Sequence, residues 1–345
     1  MVEGIDLKKT IHTQKKSLQF AGKKSFSFNC TPSKTAKKFQ LPKNPLLVAS
    51  LSSPTGLISW GEQKFQGELQ LLTNPEKESC DLVNLVSLET YLTTLLSKEM
   101  NGTWPVEALK AQAVAARTYA YDRVKKGKEL ENQKLYHLES SEKDQVSGNF
   151  FDITKNTLQA AKETEGEILA GPSGKISPIF FHSKCGGKTL RPDQVWGGVE
   201  EGYRSVDCTF CRKTGKKDWD HHIKGQKLTV MVDQVLKRYY SDELQSDQIR
   251  VMPDKAENSE LRLYAGDRLH IIKKSYLRNL AGRELLPSNN FVMSTHGNHF
   301  EVKGQGYGHG VGLCQLGALE LAKRGYDYRQ ILAFYFPRHK LKKVY

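Results

Sequence analysis

Residues 83–121, VNLVSLETYLTTLLSKEMNGTWPVEALKAQAVAARTYAY, contain two helical patterns separated by an Asn-Gly corner. The first pattern is a leucine stripe at helical spacing, which continues by one further step to a carboxylate, Glu99. Its leucines are Leu85, Leu88, Leu92, Leu95 and Leu96. The spacing therefore predicts a helix that carries one acid on its apolar face.

The corner Asn101-Gly102 is predicted to end this helix in a left-handed C-cap, which places Glu99 in the last turn. Burial on an apolar face and the negative end of the helix dipole are both expected to raise the pKa of Glu99. A carboxyl group that stays protonated near neutral pH suits general-acid catalysis. The plainer alternative is a surface glutamate at a frayed helix end.

The second helical pattern opens at Thr103-Trp104-Pro105, because Thr is a usable cap and Pro is tolerated in a first turn, and it runs through Val124. Lys110 and Arg117 are seven residues apart, so both cations project from one side of the helix. Two helices joined by a tight corner can bring these cations near one acid. A solvated helix face is the alternative.

These residues carry a resemblance to a known family. The runs LETYL and EALKAQAVAARTYA, together with Glu99-Met100 and Trp104-Pro105, resemble the signature of the SpoIID/LytB family of bacterial cell-wall proteins. In that family a second, weaker match is Asp144-Gln145, at the position of a common Asp-Gln pair.

A second motif region combines histidine and cysteine. His182-x2-Cys185 is followed after 22 residues by Cys208-x2-Cys211, a ligand spacing that is typical of a tetrahedral zinc site. Four protein ligands leave no open position, so these residues predict a structural Zn2+ ion. Family members similar to this chain have a Ser- or Cys-Gly-Gly-x-Thr segment here, and some bind zinc nearby.

Two alternatives remain for this region. In an exported protein Cys208 or Cys211 can form a disulfide, and three further cysteines are available as partners. These are Cys30, Cys80 and Cys314. The pair His221-His222 can also replace His182 as the fourth metal ligand.

A third motif, GQGYGHGVGLCQLGALELAKRGY from residue 304, has glycine at every second position up to Gly312. Such a pattern removes side chains from a strand and lets a ligand or another backbone approach. It lacks the spacing of a dinucleotide-binding or P-loop fingerprint. The motif closely resembles GxGYGHGVGxxQxGA of the same family, and His309 and Gln315 are the polar groups predicted to bind substrate. The nearby Arg278 and Pro287-Ser288 also fit the family pattern.

The composition indicates an anionic partner. The chain has 345 residues, with 52 Lys and Arg against 38 Asp and Glu, a net charge of +14 and a pI of about 9.3. Nucleic acid, anionic lipid and acidic wall polymers all carry such charge. No stretch has the apolar length of a membrane span, and no signal-peptide core is visible.

The predicted fold class is α+β, with two lobes, a helical catalytic segment flanked by β sections, and a substrate groove between the lobes. Residues 1–45 contain ten lysines and are predicted to form a flexible basic tail. Residues 46–180 are assigned a β section plus the helical segment with Glu99, and residues 181–345 a zinc-knuckle and β-rich lobe. Within it, residues 228–240 are predicted to be helical and residues 249–303 to form strands.

The resemblance implies a lytic transglycosylase that acts on peptidoglycan glycan strands stripped of stem peptides. It assigns Glu99 as the catalytic acid, Lys110 and Arg117 to the substrate carboxylate or to Glu99, and an extracytoplasmic location. A cell-wall amidase or the division machinery is a possible partner.

Two other function classes are kept. One is a non-catalytic wall-binding protein or amidase modifier, which resembles other family members. The second is a basic zinc protein that binds nucleic acid, although no recognition-helix or stacking motif accompanies the cysteines and nucleic acid is not expected as a partner.

Overall fold

The structure, a computed structural model, describes residues 2–12, 17–26, 47–53, 57–74, 79–129, 136–140, 145, 152–214, 218–256 and 258–345. The described residues form helices together with several separate, mostly antiparallel sheets, so the predicted α+β class is confirmed. The chain forms two compact units, and one of the three points at which it passes from one unit to the other falls inside a long helix. Unit 1 comprises residues 1–104 and 120–165, and unit 2 comprises residues 105–119 and 166–345.

Unit 1 is built on a seven-stranded antiparallel sheet in the order β5-β4-β1-β3-β6-β7, with β2 paired to β1. Its strands are β1 Val2–His12, β2 Ser17–Phe26, β3 Leu47–Ser52, β4 Ile58–Trp60, β5 Gln63–Phe65, β6 Glu68–Asn74 and β7 Ser79–Leu85. Its helices are α1 Leu88–Glu99, the C-terminal part of α2 Val106–Glu129, and α3 Lys155–Glu163.

The predicted tail over residues 1–45 needs correction, because β1 and β2 both lie within it. Strand β1 pairs with β3 and β4, so its backbone groups are satisfied inside the sheet. The remaining residues of that range lie outside the described residues.

The leucine stripe also starts later than predicted. Leu85 is the last residue of β7 and is 56% exposed, whereas helix α1 begins at Leu88. The Ser87 hydroxyl accepts the Thr90 N–H at 3.2 Å and fixes that start. Leu92, Leu95 and Leu96 form the buried face, as the spacing predicts.

Unit 2 contains the remaining helices and four small sheets. Its helices are the first part of α2, then α4 Pro192–Val195, α5 Gly225–Tyr239, α6 Lys274–Ala281, α7 Gln315–Lys323 and α8 Tyr328–Tyr335. Its strands are β8 Glu167–Ala170, β9 Phe181–His182, β10 Trp219–Lys224, β11 Ile249–Val251, β12 Glu260–Ala265, β13 Arg268–Lys273, β14 Phe291–His296, β15 His299–Gly304, β16 Leu313–Cys314 and β17 Lys340–Lys343.

The sheets of unit 2 surround two hydrophobic clusters. One lies under α2, α7 and α8 and includes residues of β8 and β16. The other is formed by α5, α6 and the sheets β10-β15-β14 and β11-β12-β13. Helix α5 matches the predicted helix, whereas α6 interrupts a region predicted to be all strands.

No α-helix in the described part of the chain combines the length and the apolar character needed to cross a membrane.

Candidate active site

Glu99 is the last residue of α1 in unit 1 and is half-buried. It follows the buried Leu95 and Leu96 by one turn, and the next residue, Met100, is buried. Helix α1 packs on α3, where the hydroxyls of Ser97 and Thr157 lie 3.2 Å apart. The acid therefore stands at a helix end that is fixed by tertiary contacts.

The corner after Glu99 differs from the prediction. The C-cap is Met100 in an extended conformation, and neither Asn101 nor Gly102 takes a positive φ. Instead the Asn101 side-chain oxygen accepts the N–H of Thr103 at 2.9 Å, which closes an Asx turn. Gly102 is required by space, because a Cβ there would lie 2.5 Å from the Thr154 side chain.

Gln145, of the predicted Asp144-Gln145 pair, is buried in unit 1. Its side-chain oxygen accepts a hydrogen bond from the Tyr91 hydroxyl of α1 at 2.9 Å. This contact ties Gln145 to the helix that carries Glu99. Asp144 lies outside the described residues.

Lys110 lies on the part of α2 that belongs to unit 2 and is largely buried. Its ammonium group pairs with Glu107 at 2.7 Å and lies 5.5 Å from the centre of the Tyr328 ring. Glu107 in turn accepts the backbone N–H of Tyr328 at 2.8 Å. Lys110 thus helps to join α2 to α8.

Arg117 has no solvent exposure. Its guanidinium donates to the Glu167 carbonyl of β8 at 3.1 Å, and the neighbouring Thr118 hydroxyl accepts the Leu169 N–H at 3.0 Å. The side chain therefore braces α2 against β8. A fully buried guanidinium cannot contact a glycan in this conformation, so the geometry favours a structural role over the predicted substrate contact.

Four cysteines of unit 2 come together. The sulfur atoms of Cys185, Cys208, Cys211 and Cys314 all lie within 4.8 Å of one another, and all four residues are buried and free of disulfides. Cys185 Sγ and Cys211 Sγ are 3.4 Å apart. The sequence predicted three of these residues, and Cys314 is the addition.

The donor set fits a zinc ion. Tetrahedral zinc with Zn–S bonds of about 2.3 Å holds its sulfurs about 3.8 Å apart. Backbone N–H groups of Gly187 and Gly317 point at the sulfurs of Cys185 and Cys314 at 3.4 Å, which stabilises thiolates. Without an ion, hydrogen bonds among the four sulfurs lower the pKa of the Cys211 thiol. The hydrogen bond with Cys208 raises the pKa of Cys185, and burial raises that of Cys314.

His182 does not join the sulfur cluster. Its Nδ1 donates to the Val311 carbonyl at 3.0 Å, and its Nε2 has no hydrogen-bond partner in the described part of the chain. Burial lowers the pKa of His182 to about 4, so the ring is neutral. The thiol of Cys314, which pairs with His182 across β16 and β9, takes the fourth position predicted for the histidine.

Neither alternative for the cysteine region is found among the described residues. Cys208 and Cys211 are both free, so neither forms the disulfide considered above, although Cys80 is disulfide-bonded. His221 and His222 lie on β10, outside the sulfur cluster.

The glycine-rich motif forms a winding loop after β15 and not a continuous strand. Gly306 and Gly312 have φ values of +82° and +75°, which exclude an ordinary strand. A Cβ on Gly306 would lie 2.5 Å from the Lys184 carbonyl, and one on Gly312 would lie 2.1 Å from the Phe180 carbonyl. The glycines therefore admit another backbone, that of the segment around β9.

His309 belongs to this loop and is half-buried. Its Nδ1 accepts the Val311 N–H at 3.0 Å, and its ring lies 5.6 Å from the ring of His182, centre to centre. Burial, with smaller effects of His182 and Arg278, holds the pKa of His309 well below its usual range. The imidazole is neutral at physiological pH.

Trp196, which the sequence reasoning missed, stands beside His309. It is 41% exposed, and its ring lies 5.0 Å from His309 and 4.6 Å from Phe180, centre to centre. An exposed tryptophan beside a histidine can stack on a sugar ring. No motif in the sequence marked it.

Gln315 and Arg278 have different surroundings. Gln315 is the first residue of α7 and is buried, directly after Cys314. Arg278 donates to the carbonyls of Leu286 and Pro287 at 2.9 and 3.2 Å. It therefore braces the loop whose Asn289 side chain donates to the His309 carbonyl at 3.0 Å.

A polar cavity of about 410 Å3 lies elsewhere in unit 2. Its lining includes Arg191, Glu260 and Arg262 but none of the predicted site residues.

Comparison with known proteins bears on these residues directly. The family model described as Stage II sporulation protein, SpoIID, matches residues 76–170, which include Glu99, Lys110 and Arg117. An uncharacterized protein of Brachyspira hyodysenteriae (strain ATCC 49526 / WA1) is 31% identical over 273 residues, covering 79% of this chain and 71% of that protein. The chain belongs to the SpoIID family.

Other SpoIID relatives are more distant. Stage II sporulation protein D of Bacillus subtilis (strain 168) is 27% identical over 273 residues, 74% of each chain. The Amidase enhancer of the same organism is 25% identical over 289 residues, which cover 71% of this chain but 39% of that protein. SpoIID membership supports a sporulation- or cell-wall-related role.

Proposed function

We propose that this SpoIID protein is a peptidoglycan lytic transglycosylase. It cleaves the bond between N-acetylmuramic acid and N-acetylglucosamine in glycan strands stripped of stem peptides. The observation that carries the proposal is Glu99, a half-buried carboxyl group at a fixed helix end within the segment matched by the family.

In the proposed reaction, protonated Glu99 donates its proton to the oxygen that links muramic acid C1 to the next sugar. The C1–O bond breaks through an oxocarbenium-like transition state. The Glu99 carboxylate then takes the proton from the muramic C6 hydroxyl, whose oxygen bonds to C1. The products are a 1,6-anhydro ring and a free 4-hydroxyl, with no water consumed.

One acid suffices for this chemistry. Ordinary glycosidases need two carboxyl groups, because one must activate water or form a covalent bond to the sugar. Here the nucleophile is a hydroxyl of the substrate itself. The proposal therefore needs no second carboxylate beside Glu99.

We assign substrate binding to His309 of the glycine-rich loop and to Gln315 of α7, with Trp196 and Phe180 as an apolar platform. The exposed Trp196 ring beside the neutral His309 supports this assignment. Lys110 is kept as a partner for the lactyl carboxylate, reached by exchange from Glu107. Arg117 is reassigned to holding β8 against α2.

We propose that Cys185, Cys208, Cys211 and Cys314 hold a structural Zn2+ ion. When bound, the ion would cross-link three segments that lie far apart in sequence. It would thereby fix the segment around β9 against the glycine-rich loop, without contact with substrate.

The proposed location is extracytoplasmic, where peptidoglycan lies. The disulfide at Cys80 supports it, because disulfides persist in oxidising compartments. The net charge of +14 suits stripped glycan strands, in which every second sugar bears a free carboxylate.

A second candidate function is a non-catalytic wall-binding protein that modifies an amidase. The relative named Amidase enhancer is the observation that favours it. In this case Glu99 would be a structural residue, and a cell-wall amidase would be the partner.

The test is mass spectrometry of products from purified glycan strands, with and without stem peptides, after incubation with the protein. Anhydro-muramic ends from stripped strands are expected. Reducing ends would indicate a hydrolase and contradict the proposal. Strands that are bound but not cut, with stimulation of an added amidase, would favour the modifier.

A further inference from the structure

The outer face of the sheet β10-β15-β14 carries an unusual group of side chains. Burial alternates along all three strands, and the exposed positions share one face. Of the ten histidines of the chain, three lie there. We call the group of Asp220, His222, His296, His299 and Glu301 the histidine face.

The register of the strands brings an imidazole and two carboxylates together. His222 on β10 is directly opposite Glu301 on β15, and Asp220 precedes His222 by two residues on the same face. One ligand atom from each of these three residues lies within 4.8 Å of the other two. Directly opposite positions of this kind can share one ion.

The other two histidines extend the group across the sheet. The rings of His222 and His299 are 5.6 Å apart, and those of His299 and His296 are 5.9 Å apart, centre to centre. His296 Nε2 lies 3.8 Å from a carboxylate oxygen of Glu301. Nitrogen donors therefore approach Glu301 from both neighbouring strands.

Lys303 is the cation that pairs with Glu301 on this face of the sheet. Its ammonium group lies 2.7 Å from one Glu301 oxygen, and the oxygen facing His296 is the other one. The free energy of an exposed pair of this type is small, so an ion of higher charge can displace the lysine.

We propose that the histidine face binds one divalent transition-metal ion, such as Zn2+ or Ni2+, through His222, Glu301 and Asp220, with His299 as a further ligand. Imidazole and carboxylate donors suit these ions. Ligand atoms around zinc lie about 3.4 Å apart, so side-chain rotations that move the ligand atoms by about 1 Å complete the site. The exposed side chains of Asp220, His222 and His299 are free to make them.

The site is separate from the four-cysteine cluster, which lies on other segments of unit 2. It also requires nothing from Glu99. A metal ion on this face would give the protein a second, exchangeable ion whose affinity depends on surface residues.

The test is calorimetric titration of Ni2+ into the full chain after loading with one equivalent of Zn2+. Wild type is expected to bind one further ion. His222→Ala and Glu301→Gln are each expected to weaken that binding by about tenfold or more, since even residues that only support a ligand cost about 10–100-fold. His137→Ala, which removes an exposed histidine in unit 1, is the matched control and is expected to bind as wild type.

The variant Lys303→Met is expected to change the Ni2+ affinity in the opposite direction. Removing the competing ammonium group is expected to tighten Ni2+ binding by about twofold to fivefold, the range expected from the strength of an exposed ion pair. Thermal unfolding of each variant checks that the fold is retained. The proposal is overturned if wild type takes up no second ion, or if His222→Ala and His137→Ala bind equally.

Discussion

Cys314 and His182 are paired across β16 and β9, yet only Cys314 lies with the thiols of the other three cysteines. The histidine ring is held by the Val311 carbonyl, whereas Cys314 Sγ accepts the Cys185 N–H at 3.4 Å. The identity of the fourth metal ligand therefore depends on side-chain direction. Spacing in the sequence does not contain that information.

We predict that Cys314→Ser weakens zinc retention by about tenfold or more, because it removes a direct ligand. His182→Ala is the matched control and is expected to keep one zinc ion per chain. Zinc content is measured by elemental analysis after dialysis against a graded series of chelator concentrations. Loss of zinc from His182→Ala alone would contradict the assignment of Cys314.

A second residue-scale prediction concerns His339, which lies between the rings of Tyr203 and Phe336. Neither ring nitrogen has a hydrogen-bond partner in the described part of the chain, and burial lowers the pKa of His339 to about 4. In the unfolded chain the pKa returns to 6.5. Between these values the unfolded chain binds the proton and the folded chain does not, so stability falls as the pH falls from 6.5 to 4.

His339→Phe removes this titration. The free energy of unfolding of wild type, relative to the variant, is expected to decrease by about 2 kcal/mol between pH 7 and pH 5. Urea unfolding at both pH values measures it, with the exposed-site variant His137→Phe as control. An unchanged difference between wild type and His339→Phe would show that the buried ring does not titrate in this window.

At the scale of elements, the glycine-rich loop shows why glycine spacing alone is ambiguous. Alternating glycines suggested a bare strand, but positive φ values make the segment wind through isolated bridges to Lys184, Ser288 and Leu190. The sequence predicted that a ligand or another backbone approaches these glycines, and in the structure another backbone does. The loop is thus a packing element as well as a candidate binding element.

Gly306→Ala tests this packing. Gly306 and Gly174 have nearly equal φ values, +82° and +83°, but only Gly306 has a neighbour within contact of an added Cβ. Gly174→Ala is expected to cost about 1–2 kcal/mol for the backbone conformation alone. Gly306→Ala is expected to cost about 1–3 kcal/mol more, because its Cβ meets the Lys184 carbonyl. Chemical denaturation compares the two, and equal losses would show that the close approach is unimportant.

Helix α6 could not be predicted from the sequence, for a different reason. Residues 274–281, KSYLRNLA, lie among strands with alternating burial. This stretch contains too few apolar residues for their spacing to distinguish a helix from a strand. In the structure Leu277 and Ser275 are buried, and Lys274 is buried with its ammonium group donating to the Phe291 carbonyl at 2.7 Å. Tertiary contacts decide this element.

At the scale of the molecule, the α+β class, helices α1, α2 and α5 and three of the four clustered cysteines could be predicted from the sequence. Helical spacing, capping residues and ligand arithmetic carry that information locally. The division into units could not be predicted, because it cuts α2, whose first part packs with β8 and α8. Nor could β1 and β2, since their lysine-rich composition hides them and β1 is held in the sheet by the later strands β3 and β4.

The resemblance and the local chemistry both lead to Glu99, on which the proposed activity depends. The structure adds its position, half-buried at the end of α1. The burial of Arg117 removes one predicted contact with substrate. The cation that remains for the lactyl carboxylate in our proposal is Lys110.

The most direct measurement compares products from stripped glycan strands for wild type, Glu99→Gln and the control Glu165→Gln, which makes the same change at an exposed position of unit 1. We predict anhydro-muramic products from wild type and Glu165→Gln. From Glu99→Gln we predict a loss of about 10²-fold or more, because general acid–base catalysis contributes about 10²–10⁴-fold. Equal product yields from all three proteins, with unchanged thermal unfolding, would contradict the assignment of Glu99 as the catalytic acid.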